Sequence, residues 1–150
     1  MNKNGDTFDP LNPAACACFN LRRTARAVTR HYDAALAPVG LTANQFSILA
    51  MLSGRGPTAL GGLAEYLGTD RTTLTRNLRP LSRDGLIDIR PEEDRRRRTI
   101  DLTAEGRDRL AAALPLWRGA QSEMIERLGE RSLEAFYRQL GQLEHARDGA

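Results

Sequence analysis

Residues 70–103 read DRTTLTRNLRPLSRDGLIDIRPEEDRRRRTIDLT, an amphipathic helix followed at once by a β-hairpin. Asp70 or Thr69 serves as a cap and Gly85 as a stop, so the spacing predicts a helix over 71–84. With Leu74 at zero and about 100° per residue, Leu78 falls near 40° and Leu81 near −20°. On that scale Thr72, Arg76, Arg79 and Arg83 lie within roughly 40° of the opposite pole, and Thr75 borders them. One side is therefore a leucine stripe for docking, and the other is threonine and arginine. Its only acid is Asp84 at the end, so the i, i+4 pairing that usually laces a solvated helix is missing. Arginine forks match guanine edges, threonine reaches base edges or a thymine methyl, and both hold phosphates. Pro80 removes one helical donor and is expected to bend the second half.

After Gly85, the runs LIDIR and RTIDL alternate in the manner of short strands around a polar tip. Asp94, Arg95, Arg96, Arg97 and Arg98 fall at that tip, where a wing reaches the neighbouring minor groove and its concentrated negative potential. Asp94 is placed to hold one of these guanidiniums by a bidentate bond.

Upstream, Asn12-Pro13 opens a first helix expected to run to about Ala37, with Leu21, Ala25, Val28, Tyr32 and Ala35 or Leu36 as its apolar stripe. Thr42 caps a second helix, and LGGLAEYLG forms a short third one ended by Gly68. Downstream, a long helix starts at Thr103 and is expected to kink at Pro115; Gly129 separates it from a last helix. The predicted order is α-α-α-α-β-β-α-α. It is a mainly α chain with a small β-hairpin wing, in which two short helices and the hairpin make a winged helix-turn-helix.

Composition agrees with a DNA-facing head. The 150 residues are 41% hydrophobic and 27% charged, the size and character of one globular domain. Residues 1–98 carry 15 basic and 10 acidic side chains, while 99–150 carry 7 and 9. All but Lys3 of the 22 basic residues are arginine, the residue suited to phosphate and bidentate base contact. No apolar run approaches the roughly 20 residues of a bilayer crossing, and the polar start lacks the apolar region of a secretory signal. A cytoplasmic protein with no membrane partner is expected. Cys16 and Cys18, taken as i, i+2 on one helix, point roughly 200° apart and would neither bond each other nor share a metal. With only His31 and His145, no nucleophile elbow, phosphate loop, HExxH or CxxC, the chain offers neither an enzyme's constellation nor a metal or cofactor site.

The segments LTANQFSILAML (41–52) and LAEYLGTDRTTLTRNLRPLSRDGLIDIRPEEDRRRRTIDLTAEG (63–106) resemble the MarR family. The wing pattern of that family, D-x-R and then L-T after a short strand, is present as Asp94, Arg96 and Leu102-Thr103. The resemblance implies one domain over 1–150. Dimerisation helices would lie at about 13–37 and 103–147, around a winged helix-turn-helix head at about 42–102. It also implies a homodimer on a near-palindromic DNA operator, acting as a repressor and released by a small effector. By matching position Thr72, Thr73, Thr75, Arg76 and Arg79 enter the major groove and Arg96 the minor groove. The dimer has independent support: Leu114, Leu116, Trp117, Met124, Leu128, Leu133, Phe136, Leu140 and Leu143 exceed what one small head can cover.

Two switches are open. Cys18-Phe19 is similar to the pair in the family's organic-peroxide-sensing branch, which has a tyrosine one turn later where this chain has Arg22. A pocket near His31, Tyr32, Phe46 and Trp117 would instead take a small aromatic or phenolic anion, as in other members. A winged-helix module used only for protein contact is the rival from another class. It predicts an apolar or mixed outer face on helix 71–84.

Overall fold

A computed structural model describes residues 12–91 and 98–144. The helices are α1 (Ala17–Leu36), α2 (Ala43–Arg55), α3 (Leu60–Tyr66), α4 (Arg71–Arg83), α5 (Ala104–Leu128) and α6 (Glu130–Glu144). The strands are β1 (Thr58–Ala59), β2 (Ile87–Pro91) and β3 (Arg98–Leu102). They form one antiparallel sheet of order β1-β3-β2, with Ile89 opposite Ile100 and Pro91 opposite Arg98 at the outer end of the hairpin.

The two-strand expectation is thus corrected to three. Thr58 lies opposite Ile100 and Ala59 opposite Thr99, so the stretch between α2 and α3 closes the other edge of β3. A strand of two residues after Pro57 is too short to show alternation, and only its partner makes it a strand.

The first helix also differs from its expected span. Asn12 does cap, accepting from the Ala14 N–H at 3.0 Å, but what it starts is a 3-10 turn over Pro13–Ala15. Cys16 follows in extended conformation (φ −83, ψ 120), and the α-helix begins only at Ala17. The Asn20 amide holds this offset by donating to Ala14 O at 2.7 Å and Cys16 O at 3.0 Å. Cys16 therefore stands before the helix, and the two cysteines do not oppose each other on one helical segment as expected.

The core gathers around the head. Leu36 at the end of α1, Ile48, Leu49 and Leu52 of α2, Leu63 of α3, and Leu74, Leu78 and Leu81 of α4 are essentially closed to solvent. Leu86, Ile100 and Leu102 bring in the sheet, and Leu110 and Ala113 bring in the first half of α5. Beyond Ala113 the packing thins: Ala120 and Leu133 are buried, but Leu128, Phe136, Tyr137 and Leu143 are exposed. No single helix among the described residues is long and apolar enough to cross a membrane.

Both proline-bearing helices run on as single elements, α4 through Pro80 and α5 through Pro115. The carbonyls that lose an amide partner belong to Arg76 and Ala111, both on exposed positions where water can bond them.

Candidate nucleic-acid interface

Helix α4 is placed by its two ends and one stripe. At its start Asp70 accepts the Thr73 N–H at Oδ1 (2.8 Å) and the Thr73 hydroxyl at Oδ2 (2.6 Å). These bonds, the hydroxyl's first, hold the Asp70 carboxyl below its ordinary range. At its far end Gly85 takes φ 71, a left-handed conformation that a side chain would strain, and the chain turns into β2. Between the ends, Leu74, Leu78 and Leu81 press into the core at 0%, 2% and 1% exposure.

The opposite side is open. Thr72, Thr75, Arg76, Arg79 and Arg83 are all exposed, as the helical wheel predicts. Arg71, Thr72, Thr73, Thr75, Arg76 and Arg79 line a shallow concavity of about 420 Å³ along the first two turns. A second cleft of about 520 Å³ lies between α4 and the sheet, lined by Leu60, Thr75, Leu78, Arg79, Ser82, Ile89 and Arg98. Thr75 and Arg79 border both, so the basic face continues from the helix onto the base of the wing.

The polar residues differ in what they have left to offer. Thr73 spends its hydroxyl proton on Asp70, and Thr75 donates its own to the Arg71 carbonyl at 2.7 Å. Both hydroxyls keep acceptor capacity. Among the described residues, the Arg76 and Arg79 guanidiniums make no ion pair. Arg83 donates to its neighbour Asp84 at 2.9 Å, which raises its pKa and offsets part of its charge.

Arg71 is the residue the wheel missed. It projects nearer the leucine side than the arginine side, yet at the first turn the helix has run past the core and the residue is exposed. Its guanidinium lies over Gly61 of α3, where an added Cβ would sit 2.9 Å from Nη2. Of the wing residues, Arg98 is exposed at the start of β3, facing the cleft with Arg79. Asp94, Arg95, Arg96 and Arg97 lie outside the described residues.

The residues expected around an effector fall into two pairs. Phe46 and Trp117 stack on each other, centroids 5.7 Å apart and planes at 13°. His31 and Tyr32 meet edge to face and tie α1 to α5: His31 Nε2 lies 3.1 Å from the Ala120 carbonyl, and the Tyr32 hydroxyl donates to Gln121. Burial raises the Tyr32 pKa, with Tyr137 adding to it. Cys18 is exposed and free, as is Cys16.

Comparison with known proteins agrees with this geometry. The MarR family model matches residues 39–98, which span the head from before α2 to the start of β3. The M. tuberculosis transcriptional regulator MosR, solved in complex with DNA, is 44% identical with a TM-score of 0.77, over 87% of this chain and 97% of that one. The transcriptional repressor YetL of Bacillus subtilis is 31% identical over 128 residues, 83% of this chain and 75% of that protein. The transcriptional regulator YwoH of the same organism is 31% identical over 85 residues; the match spans 57% of this chain and 62% of YwoH. A helix-turn-helix with a leucine-anchored, arginine-faced second helix and a hairpin wing, in a chain related to these regulators along most of its length, belongs to the MarR family of DNA-binding transcription regulators.

Proposed function

We propose that this protein is a cytoplasmic transcription repressor that binds a near-palindromic DNA operator as a homodimer, with one α4 per protomer in the major groove. The observation that carries it is the open face of α4, where Thr72, Thr75, Arg76 and Arg79 stand exposed above a fully buried leucine stripe. B-DNA's major groove admits a helix, and base edges there are read by these residue types. MosR, related over nearly all of its length, has been solved on DNA, and YetL is a repressor.

Within this reading Arg76 and Arg79 contact base edges, and Thr72, Thr73 and Thr75 contact bases or phosphates. Arg83 holds a phosphate at the helix end, and Arg98 with the wing residues Asp94 to Arg97 serves the minor groove. A module built only for protein contact is not favoured, because the outer face of α4 is threonine and arginine rather than apolar. The dimer is supported by the apolar side chains left uncovered on α5 and α6, with Leu21 of α1. A small aromatic or phenolic effector releases the operator by acting near His31 and Tyr32, which link α1 to α5. Phe46 and Trp117, stacked between α2 and α5, complete the group of aromatic side chains there.

The test is a gel-shift titration against the DNA upstream of the protein's own gene, with excess random DNA, at two salt concentrations. Competitor-resistant shifts that weaken with salt are expected, and Arg76→Ala should reduce the resistance. Absence of even salt-sensitive, non-specific binding would sink the reading.

A further inference from the structure

Helix α1 carries a second basic surface that α4 and the wing leave unused. Residues 12–32 contain no Asp or Glu, yet they hold Arg22, Arg23, Arg26 and Arg30. All four are exposed, and among the described residues none of their side chains makes a hydrogen bond or an ion pair. Arg22, Arg26 and Arg30 recur at i, i+4 and i+8, each about 6 Å beyond the last along the axis. Their stripe lies opposite the flank on which His31 and Tyr32 bond α5. Like charges at this spacing repel one another, so the stripe calls for an anion that repeats along a line.

The same flank leads to polar donors. Thr29, one turn on from Arg26, lines a cleft of about 470 Å³ with Asp33, Thr42, Ala43, Asn44 and Ser47 at the start of α2. Its one carboxylate is engaged, Asp33 Oδ1 accepting the Ala43 N–H at 2.7 Å. Arginine with Ser, Thr and Asn side chains is the set that holds phosphate and sugar rather than base edges. A second copy of the chain fits the stripe poorly, since the core of a protein interface is depleted of charge.

We infer that Arg22, Arg26 and Arg30, with Arg23 beside them, form a second phosphate-binding surface that grips the DNA backbone outside the groove occupied by α4. It adds affinity for duplex irrespective of sequence. The inference rests on the DNA-binding reading above, and the test separates the two.

Arg26→Gln/Arg30→Gln and, independently, Arg76→Ala/Arg79→Ala are titrated by fluorescence anisotropy against two labelled duplexes across a series of KCl concentrations. One duplex comes from upstream of the gene and the other is of mixed sequence. The α1 variant should weaken both duplexes by a common factor, on the order of ten-fold, and flatten the salt slope by about 0.9 for each phosphate it no longer neutralises. The preference for one duplex over the other should hold in that variant and fall in the α4 variant. If the α1 variant binds like wild type with an unchanged slope while the α4 variant loses preference, the inference fails and the recognition reading stands. If neither variant differs from wild type, both fall. Thermal melting checks the fold, with Arg26→Gln alone as the milder variant. A shifted monomer–dimer equilibrium in sedimentation velocity would assign the stripe to a second copy and overturn the inference.

Discussion

Arg76 and Arg79 differ from Arg83 in one respect: among the described residues no carboxylate holds them. Truncating either to Ala should cost about 1–3 kcal/mol of operator affinity if it makes a bidentate base contact. Quantitative gel shifts would show this as relaxed discrimination, not only weaker binding. Arg83 is screened by Asp84, so Asp84→Asn should strengthen binding to duplex of any sequence and steepen its salt dependence. Asp70 acts on the helix rather than on DNA. Its folded pKa is lowered, so its stabilising effect is present above the unfolded carboxylate value and is lost as pH falls through the folded value. The melting temperature of Asp70→Ala should therefore lie below wild type at pH 7, and the gap should close in acid below about pH 4. A gap that does not narrow at all as pH falls would mean that Asp70 works by something other than its charge.

Helix α5 meets the head at its first turn, and one glycine permits the approach. A Cβ on Gly106 would stand 2.0 Å from the Leu86 carbonyl oxygen and 2.8 Å from Leu102 Cδ1. Thr103 joins the same point, donating its hydroxyl to the Gly85 carbonyl at 2.7 Å while accepting the Gly106 N–H at 2.9 Å. The turn that ends α4 and the cap that starts α5 are thus one hydrogen-bonded joint. Gly106→Ala should lower stability in urea denaturation by about 1–3 kcal/mol or more. Gly54→Ala in α2, where a Cβ meets nothing within 4 Å, should be neutral or stabilise by up to about 1 kcal/mol. Equal effects at the two glycines would show that the close approach at Gly106 is not what matters.

Across the whole molecule, the buried cluster stops at Ala113 while α5 and α6 continue with Leu128, Phe136, Tyr137 and Leu143 in the open. Several large apolar side chains left open on two neighbouring helices are what an interface between copies would cover. The wild-type chain should sediment as a dimer, and Phe136→Asp with Leu143→Asp should sediment as a monomer that still melts cooperatively. A monomeric wild type at micromolar concentration would remove the operator geometry proposed above, since one α4 reads only half of a palindrome.

Much of the head is legible in the order of its residues, because its cues are local. Leucines at 74, 78 and 81 against arginines at 76, 79 and 83 define a helix and both of its faces through the 3.6-residue repeat alone. The caps Thr42, Asp70 and Thr103 and the stop at Gly85 belong to the same class of short-range signal. Pairings between distant residues are not legible in this way. Strand β1 exists only because Ile100 and Thr99 lie beside it. Arg71 shows its charge only because Gly61 leaves room for it, and Asn20 delays the start of α1 through carbonyls brought near by a turn. Phe46 and Trp117, 71 positions apart in the chain, stack on each other. Periodicity and caps report on neighbours within a turn or two, whereas pairing, stacking and close approach depend on which surfaces the packed chain brings together.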